Sequence, residues 1–261
     1  MIKSCYSILF FGLFFIIIVE SSAQSKKQYY AVLIGISKYS RGDINLKFAD
    51  SDAINMNKKL LAMNVPEENI SLLCNEEASN YNIVSAMKKQ FYKANLNDEI
   101  IFFFSGHGAD GYFVAYDCPN FLLHSQLKSV FKASKAGTKI VFADACFSGT
   151  LKDGQTPKSI ERDSSKNYLK GFDKKDKQII VFASSRSNET SIENWKHRNG
   201  FFTYYLLRAL SGYGDSNGDK IISYKELYNF VAINVKNDSK GKQSPNMFGN
   251  FDPDAMFVRV N

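Results

Sequence analysis

Apolar runs and helical periods alternate along most of this chain. Tyr29–Ile36 (YYAVLIGI) is a continuous apolar, β-branched stretch, the pattern of a strand buried on both faces. The next segment, Ala49–Met63, has apolar positions at helical spacing: Ala53, Met56, Leu60 and Leu61. The alternation then repeats. Strands are predicted at Asn69–Cys74, Asp98–Phe104, Thr138–Ala143 and Gln178–Ser184, with helices at Tyr81–Ala94 and Leu122–Ala133 between them. Helices at Phe201–Leu210 and Ser223–Val235 and a last strand over Ala255–Val260 follow. Doubly apolar strands alternating with helices predict an α/β fold with a parallel sheet covered on both sides. Ligands of such sheets sit beyond the carboxyl ends of the strands. Two short segments occupy that place here: Ser105-Gly106-His107-Gly108, and Asp144-Ala145-Cys146-Phe147-Ser148-Gly149.

Two segments stand outside the alternation. Ile8–Val19 is apolar, follows Lys3 and precedes Ser21-Ser22-Ala23. A basic start, a short apolar run and small residues at the cut make residues 1–23 a predicted secretory signal peptide, removed before Gln24. The run is short for a membrane span, which needs roughly 20 apolar residues; an uncleaved anchor is the rival reading. The expected mature protein, residues 24–261, is one domain, secreted or periplasmic, with no membrane contact after the signal is removed. Lys152–Lys177 is polar and without hydrophobic period, a predicted linker.

The chain of 261 residues is 44% hydrophobic and 23% charged, which excludes a disordered or fibrous protein. Its net charge of +7 would permit anionic partners. Lys and Arg are scattered in sequence, with no aromatic-interleaved stripe, so no nucleic acid partner is expected. Signal removal takes Cys5 and leaves Cys74, Cys118 and Cys146. An odd number leaves at least one thiol free, and no spacing of Cys and His suggests zinc.

The free thiol acquires a meaning beside a histidine. An ordinary thiol, of pKa about 8.5, is only a few per cent thiolate at neutral pH. An imidazole next to it can take the proton and later deliver it to a leaving amine. Cys146 and His107 leave the same sheet edge from neighbouring strands, which predicts a nucleophile and its acid–base partner. The backbone N–H groups of Gly108 and Cys146 are candidates for stabilising the oxyanion. Either residue alone would more simply be a small buried hydrophobe or a structural histidine. His124 and His197 lack this setting and are read as surface residues.

The blocks Phe48–Ala53 (FADSDA), Ile101–Gly108 (IFFFSGHG), Ile140–Gly149 (IVFADACFSG), Ala183–Glu193 (ASSRSNETSIE) and Gly200–Leu210 (GFFTYYLLRAL) resemble the caspase/metacaspase family, from about Tyr29 to the C-terminus. Asp144, two residues before Cys146, points to the metacaspase side. The resemblance implies a caspase–hemoglobinase fold: a mainly parallel six-stranded sheet flanked by helices. It also implies a cysteine endopeptidase acting on protein or peptide substrates with Lys or Arg before the scissile bond. Asp144, Asp52 and Ser105 would form the pocket for that residue. Carboxylates suit this role because they pair with guanidinium or ammonium and repel an acidic side chain. Asp50 and Asp52 have a second reading, as partners of a helix N-terminus. The chain departs from many metacaspases at Ala49 and Phe147, and Ala109–Cys118 lacks their acidic calcium loop.

No cofactor is required by these motifs, although calcium has one candidate site. Asp215, Asn217, Asp219 and Glu226 fall at EF-hand spacing, with Lys220 where the invariant Gly belongs. The competing reading is a turn in which Ser223 caps a helix and Glu226 completes a capping box. An enzyme is thus weighed against two alternatives: a caspase-fold protein that binds without cleaving, and a calcium-stabilised extracellular interaction module.

Overall fold

The computed structural model describes residues 27–109, 111–146, 178–185 and 191–260. The expected signal peptide and the expected linker, residues 152–177, lie outside them. In chain order the elements are β1 (Tyr29–Gly35), α1 (Ala49–Ala62), β2 (Ile70–Cys74), α2 (Asn80–Phe91), β3 (Glu99–Ala109), β4 (Tyr112–Val114), β5 (Phe121–Leu123), α3 (His124–Ala133), β6 (Thr138–Cys146) and β7 (Ile179–Ala183). They continue with β8 (Glu193–Asn194), β9 (Asn199–Gly200), α4 (Phe201–Arg208), β10 (Ile221–Ser223), α5 (Tyr224–Asp238), β11 (Asn246–Gly249) and β12 (Met256–Arg259). A π-helical turn, Ala209–Tyr213, extends α4.

The sheet runs β11-β7-β6-β3-β1-β2. Its first five members in chain order pair in parallel, and β11 joins β7 antiparallel at one edge. This is the expected six-stranded, mainly parallel α/β architecture. The sixth strand is β11, which the hydrophobic pattern does not reveal. The expected last strand, β12, pairs instead with β10 in a separate two-stranded sheet. Leu122 and Leu123, expected in a helix, belong to β5, which closes a small β4–β5 hairpin on the end of β3.

Strand alternation divides the core into two layers. Val32, Ile34, Phe102, Phe104, Val141 and Ala143 face α2 and α3, meeting Ile83, Met87, Phe91, Leu127 and Phe131. Ala31, Leu33, Ile101, Phe103, Ile140 and Phe142 face the other way, onto Ala53 and Met56 of α1, Phe202 and Leu206 of α4, and Leu227 and Val231 of α5. Period-two alternation explains the sorting. It also sends Ser105 and Asp144, at the strand ends, toward the α1 and α4 side. Among the described residues no helix is long and apolar enough to cross a membrane.

Candidate active site

β3 and β6 are longer than the hydrophobic pattern predicts. Their apolar runs end at Phe104 and Ala143, but ladder pairing continues through Ser105↔Asp144, Gly106↔Ala145 and His107↔Cys146. His107 and Cys146 are therefore not in loops after the strands. They are partners on one rung, set about 4.8 Å apart by strand spacing. Gly108 also remains in β3, opposite Phe113 of β4.

His107 is held from two sides. Its backbone N–H donates to the Tyr39 hydroxyl at 2.7 Å, and Tyr39 lies against the imidazole with ring centroids 5.2 Å apart. The ring Nε2 lies 2.7 Å from the Ile44 carbonyl oxygen. A carbonyl only accepts, so this contact places the ring proton on Nε2 and leaves Nδ1 with the lone pair. Burial lowers the His107 pKa, partly offset by the Ile44 carbonyl and the Glu193 carboxylate. Gly106 is required for close approach: a Cβ there would meet the Tyr39 hydroxyl at 2.7 Å.

Beside His107 is a cavity of about 320 Å³, lined by Asp52, Ser105, Asp144, Ser191, Glu193 and Gly200 among others. Its size suits one side chain better than a whole peptide. Asp52 is buried within α1. It accepts from Ser105 Oγ and Asn199 Nδ2, both at 2.7 Å, and from Gly200 N–H at 3.0 Å. Asp144 is equally buried and accepts from Thr203 N–H at 3.1 Å, Thr203 Oγ1 at 2.8 Å and the Ser191 hydroxyl. Asp52 caps no helix, since the N-cap is Phe48 without a side-chain cap, but Asp50 and Asp52 both lie in the first turn of α1, where the helix-terminus reading puts them. Asp50 takes the Ser37 hydroxyl at 2.7 Å.

Burial raises both pocket carboxylates, and the Asp144 charge raises Asp52 further. Like charges buried in one cavity disfavour double ionisation. Among the described residues neither carboxylate is paired with a Lys or Arg. Gly200 sits between them, and a Cβ on it would meet Asp144 Oδ2 at 2.2 Å. Gly200→Ala is therefore expected to displace Asp144, costing about 1–3 kcal/mol of stability, and to weaken any binding of a cationic probe next to it. Thermal melts together with titration of benzamidine or agmatine will check both effects.

The remaining sequence candidates fall elsewhere. His124, expected at the surface, is buried at 5% exposure and packs on Phe113 with ring centroids 4.7 Å apart. It starts α3 under the β4–β5 hairpin, which the sequence reading lacked. His197 is half-buried and stacks on Tyr204 at 3.8 Å. Cys74 and Cys118 are free thiols; burial pushes Cys74 up to about 11 and also raises Cys118.

The acidic loop turns on itself. Asp215 accepts from Gly218 and Lys220 N–H, Asn217 from Asp219 N–H, and Asp219 from Ile221 N–H. Ser223 and Glu226 form the expected capping box of α5. Glu226 also takes the Ser216 hydroxyl at 2.8 Å. No group of three or more His, Cys, Asp or Glu that could hold a metal ion is found among the described residues.

Sequence reasoning missed Ser191, Glu193, Asn199, Gly200 and Thr203 as site residues. Thr203 was the most accessible, a polar residue on the buried face of an otherwise apolar helix. The others lie in an irregular segment whose direction no period specifies.

An open, mainly parallel α/β sheet with a His–Cys rung at its carboxyl edge and paired acids beside it defines a class of caspase-like architecture. The chain belongs to the caspase-domain family: the family model described as Caspase domain matches residues 28–255. Among solved structures it is similar to caspase-1 from Spodoptera frugiperda, with TM-score 0.66 and 16% identity over 90% of this chain and 92% of that one. It is also similar to a protein from Geobacter sulfurreducens, with TM-score 0.63 and 18% identity over 90% of this chain and 97% of that one. No curated protein sequence matches it.

Proposed function

We propose that this protein is a secreted cysteine endopeptidase that cleaves after Lys or Arg, with Cys146 as nucleophile and His107 as acid–base partner. The observation that carries the reading is a cavity lined by two buried carboxylates, neither paired with a Lys or Arg among the described residues, beside His107 of the His107–Cys146 rung. A guanidinium entering it would meet Asp52 and Asp144, each with three protein donors given above and acceptor capacity remaining, since a carboxylate has about four acceptor sites.

With the proton on Nε2, Nδ1 is the nitrogen free to take the Cys146 proton. The thiolate attacks the scissile carbonyl carbon, and the N–H groups of Gly108 and Cys146 receive the oxyanion. The C–N bond breaks as the imidazolium gives its proton to the departing amine. Water, deprotonated by His107, then hydrolyses the thioester and restores the thiol.

The test is hydrolysis of fluorogenic peptides bearing Arg, Lys or Asp before the reporter, using purified 24–261. Cleavage of Arg and Lys peptides is expected; preference for Asp, or no cleavage of any, overturns the reading.

The same specificity predicts self-processing. Lys152–Lys177 offers Lys152, Lys158, Arg162, Lys166, Lys170, Lys174, Lys175 and Lys177 as candidate cleavage positions. The active enzyme is expected to cut slowly there, giving two fragments held together by pairing of β6 with β7. Cys146→Ala is expected to stay one chain. Intact mass spectrometry of both proteins decides: equal nicking in each assigns the cut to a contaminant.

A further inference from the structure

The chain brings basic and aromatic residues that are scattered in sequence together next to residues that line the cavity. Leu46 and Glu193 line the cavity, and each is followed within two positions by an exposed residue. The neighbour of Leu46 is Lys47, whose ammonium lies 3.8 Å from the centroid of the Trp195 ring. Trp195 lies two residues beyond Glu193, is 66% exposed, and rests edge-on against Phe48 at 5.2 Å. Lys196 and Arg198, in the turn between β8 and β9, are exposed and have no ion pair among the described residues. His197 of that turn stacks on Tyr204, and Arg208 reaches the Tyr204 hydroxyl at 3.4 Å and covers the Tyr213 ring at 4.2 Å. Cations and aromatic rings are thus paired in and around the β8–β9 turn, an arrangement invisible in sequence because Lys47, Trp195 and Tyr213 lie far apart along the chain.

Among the described residues, positive charge predominates on this surface. Glu193 is the acid on the β8–β9 hairpin, and its Oε1 is engaged by the Lys47 and Phe48 N–H groups, both at 2.8 Å. Lys47, Lys196 and Arg198 outnumber it. The cavity behind them is acidic. A ligand complementary to both would carry one cation to enter the cavity and anions on adjoining residues. Lys47 and Trp195 lie only one or two residues from the lining, about 3–7 Å along an extended chain. The complementary ligand is thus a single peptide with acidic residues flanking its basic one.

We propose that Lys47, Trp195, Lys196 and Arg198 form a second recognition site that selects substrates with Asp or Glu within a few residues of the basic side chain held by the cavity. This rests on the endopeptidase reading for its catalytic consequence, but its binding can be measured without catalysis. Charges placed this way raise encounter rate and discriminate against like-charged partners. The same chain holds such sequences itself, for example Glu161-Arg162-Asp163.

Trp195 is the only tryptophan of the chain, so its fluorescence reports on this surface alone. The experiment titrates Cys146→Ala protein with three arginine peptides whose flanks are acidic, neutral or lysine-rich, and with a single-stranded oligothymidylate. The acidic peptide is expected to change Trp195 emission and to bind about tenfold more tightly than the neutral one at low salt, the difference shrinking in high salt. Lys196→Ala/Arg198→Ala should abolish that difference and leave binding of the neutral peptide intact. In wild-type enzyme the same tenfold preference should appear in kcat/KM. Equal binding of acidic and neutral peptides overturns the proposal, as does oligothymidylate binding that matches or exceeds the acidic peptide, which would make the surface a general polyanion site. Tight acidic-peptide binding with no cleavage of any peptide would sink the endopeptidase reading and leave this site standing.

Discussion

Asp144→Asn is expected to lower kcat/KM for arginine reporter peptides about 10²–10³-fold, by removing one partner from a desolvated charge pair worth about 3–5 kcal/mol. The loss should fall mainly on KM, because the pocket holds a part of the substrate that does not react. The melting temperature should stay the same or rise. Asp144 and Asp52 line one cavity, both buried and neither paired with a Lys or Arg among the described residues, so the fold carries the cost of their charge. Asn retains an acceptor for the Thr203 donors at 2.8 and 3.1 Å. Steady-state kinetics and thermal melts on the two proteins separate these effects; equal loss with arginine and uncharged reporters would remove Asp144 from the pocket.

The same pair gives a pH dependence with a defined sign. Both carboxylates are raised, so the empty pocket retains a proton above the ordinary carboxylate range of about 4. A bound guanidinium favours the ionised form and expels that proton. Affinity for arginine should therefore weaken as pH falls through the raised range, appearing as an increase in KM. Stability moves the opposite way. The native state binds more protons than the unfolded one there, so the penalty is absent below the ordinary carboxylate range and grows as pH rises through the raised values. Agmatine should therefore raise the melting temperature more at neutral than at acid pH.

Cys146→Ala is expected to reduce hydrolysis to background, and His107→Ala to lower kcat by about 10²–10⁴-fold, the usual contribution of a positioned acid–base group. Neither change should unfold the protein. His107 fills no core position, and its backbone N–H bond to Tyr39 survives truncation to Ala. Circular dichroism and melts control for folding, and active-site titration with an iodoacetamide probe counts the thiolate. Undiminished cleavage by Cys146→Ala would end the assignment. A His107→Ala enzyme that reacts with iodoacetamide as fast as wild type, with equal pH dependence, would show that this imidazole does not activate the thiol.

Much of this arrangement was legible because its elements obey strong periods. Tyr29–Ile36, Asp98–Phe104 and Thr138–Ala143 are apolar on both faces, and only a sheet covered on both sides accommodates that. The carboxyl-edge rule then located His107 and Cys146. What the periods could not give was the extension of β3 and β6 past their apolar runs. Ser105, Gly106, Asp144 and Ala145 are small or polar, yet ladder pairing continues through them. β11 was missed for a related reason: Asn246, Met247, Phe248 and Gly249 form a short edge strand, intermediate or exposed, with no apolar run. His124 was misjudged because the β4–β5 hairpin that helps bury it is too short to announce itself. The β8–β9 segment carries Glu193, Asn199 and Gly200 in two-residue strands, below the length at which alternation can be read.

Placing His107 and Cys146 on a common rung has a consequence for what this chain can tolerate over evolutionary time. Their separation is counted off along two strands that start together at Glu99↔Thr138. Losing or gaining one residue within either strand alone would break the match: it would shift one residue of the pair past the other and turn its side chain to the opposite layer. Substitutions inside these strands can therefore accumulate as long as volume is kept, while insertions and deletions are confined to the connections. Across descendants of this sequence, the number of residues from Glu99 to His107 and from Thr138 to Cys146 should stay fixed even where little of their identity does.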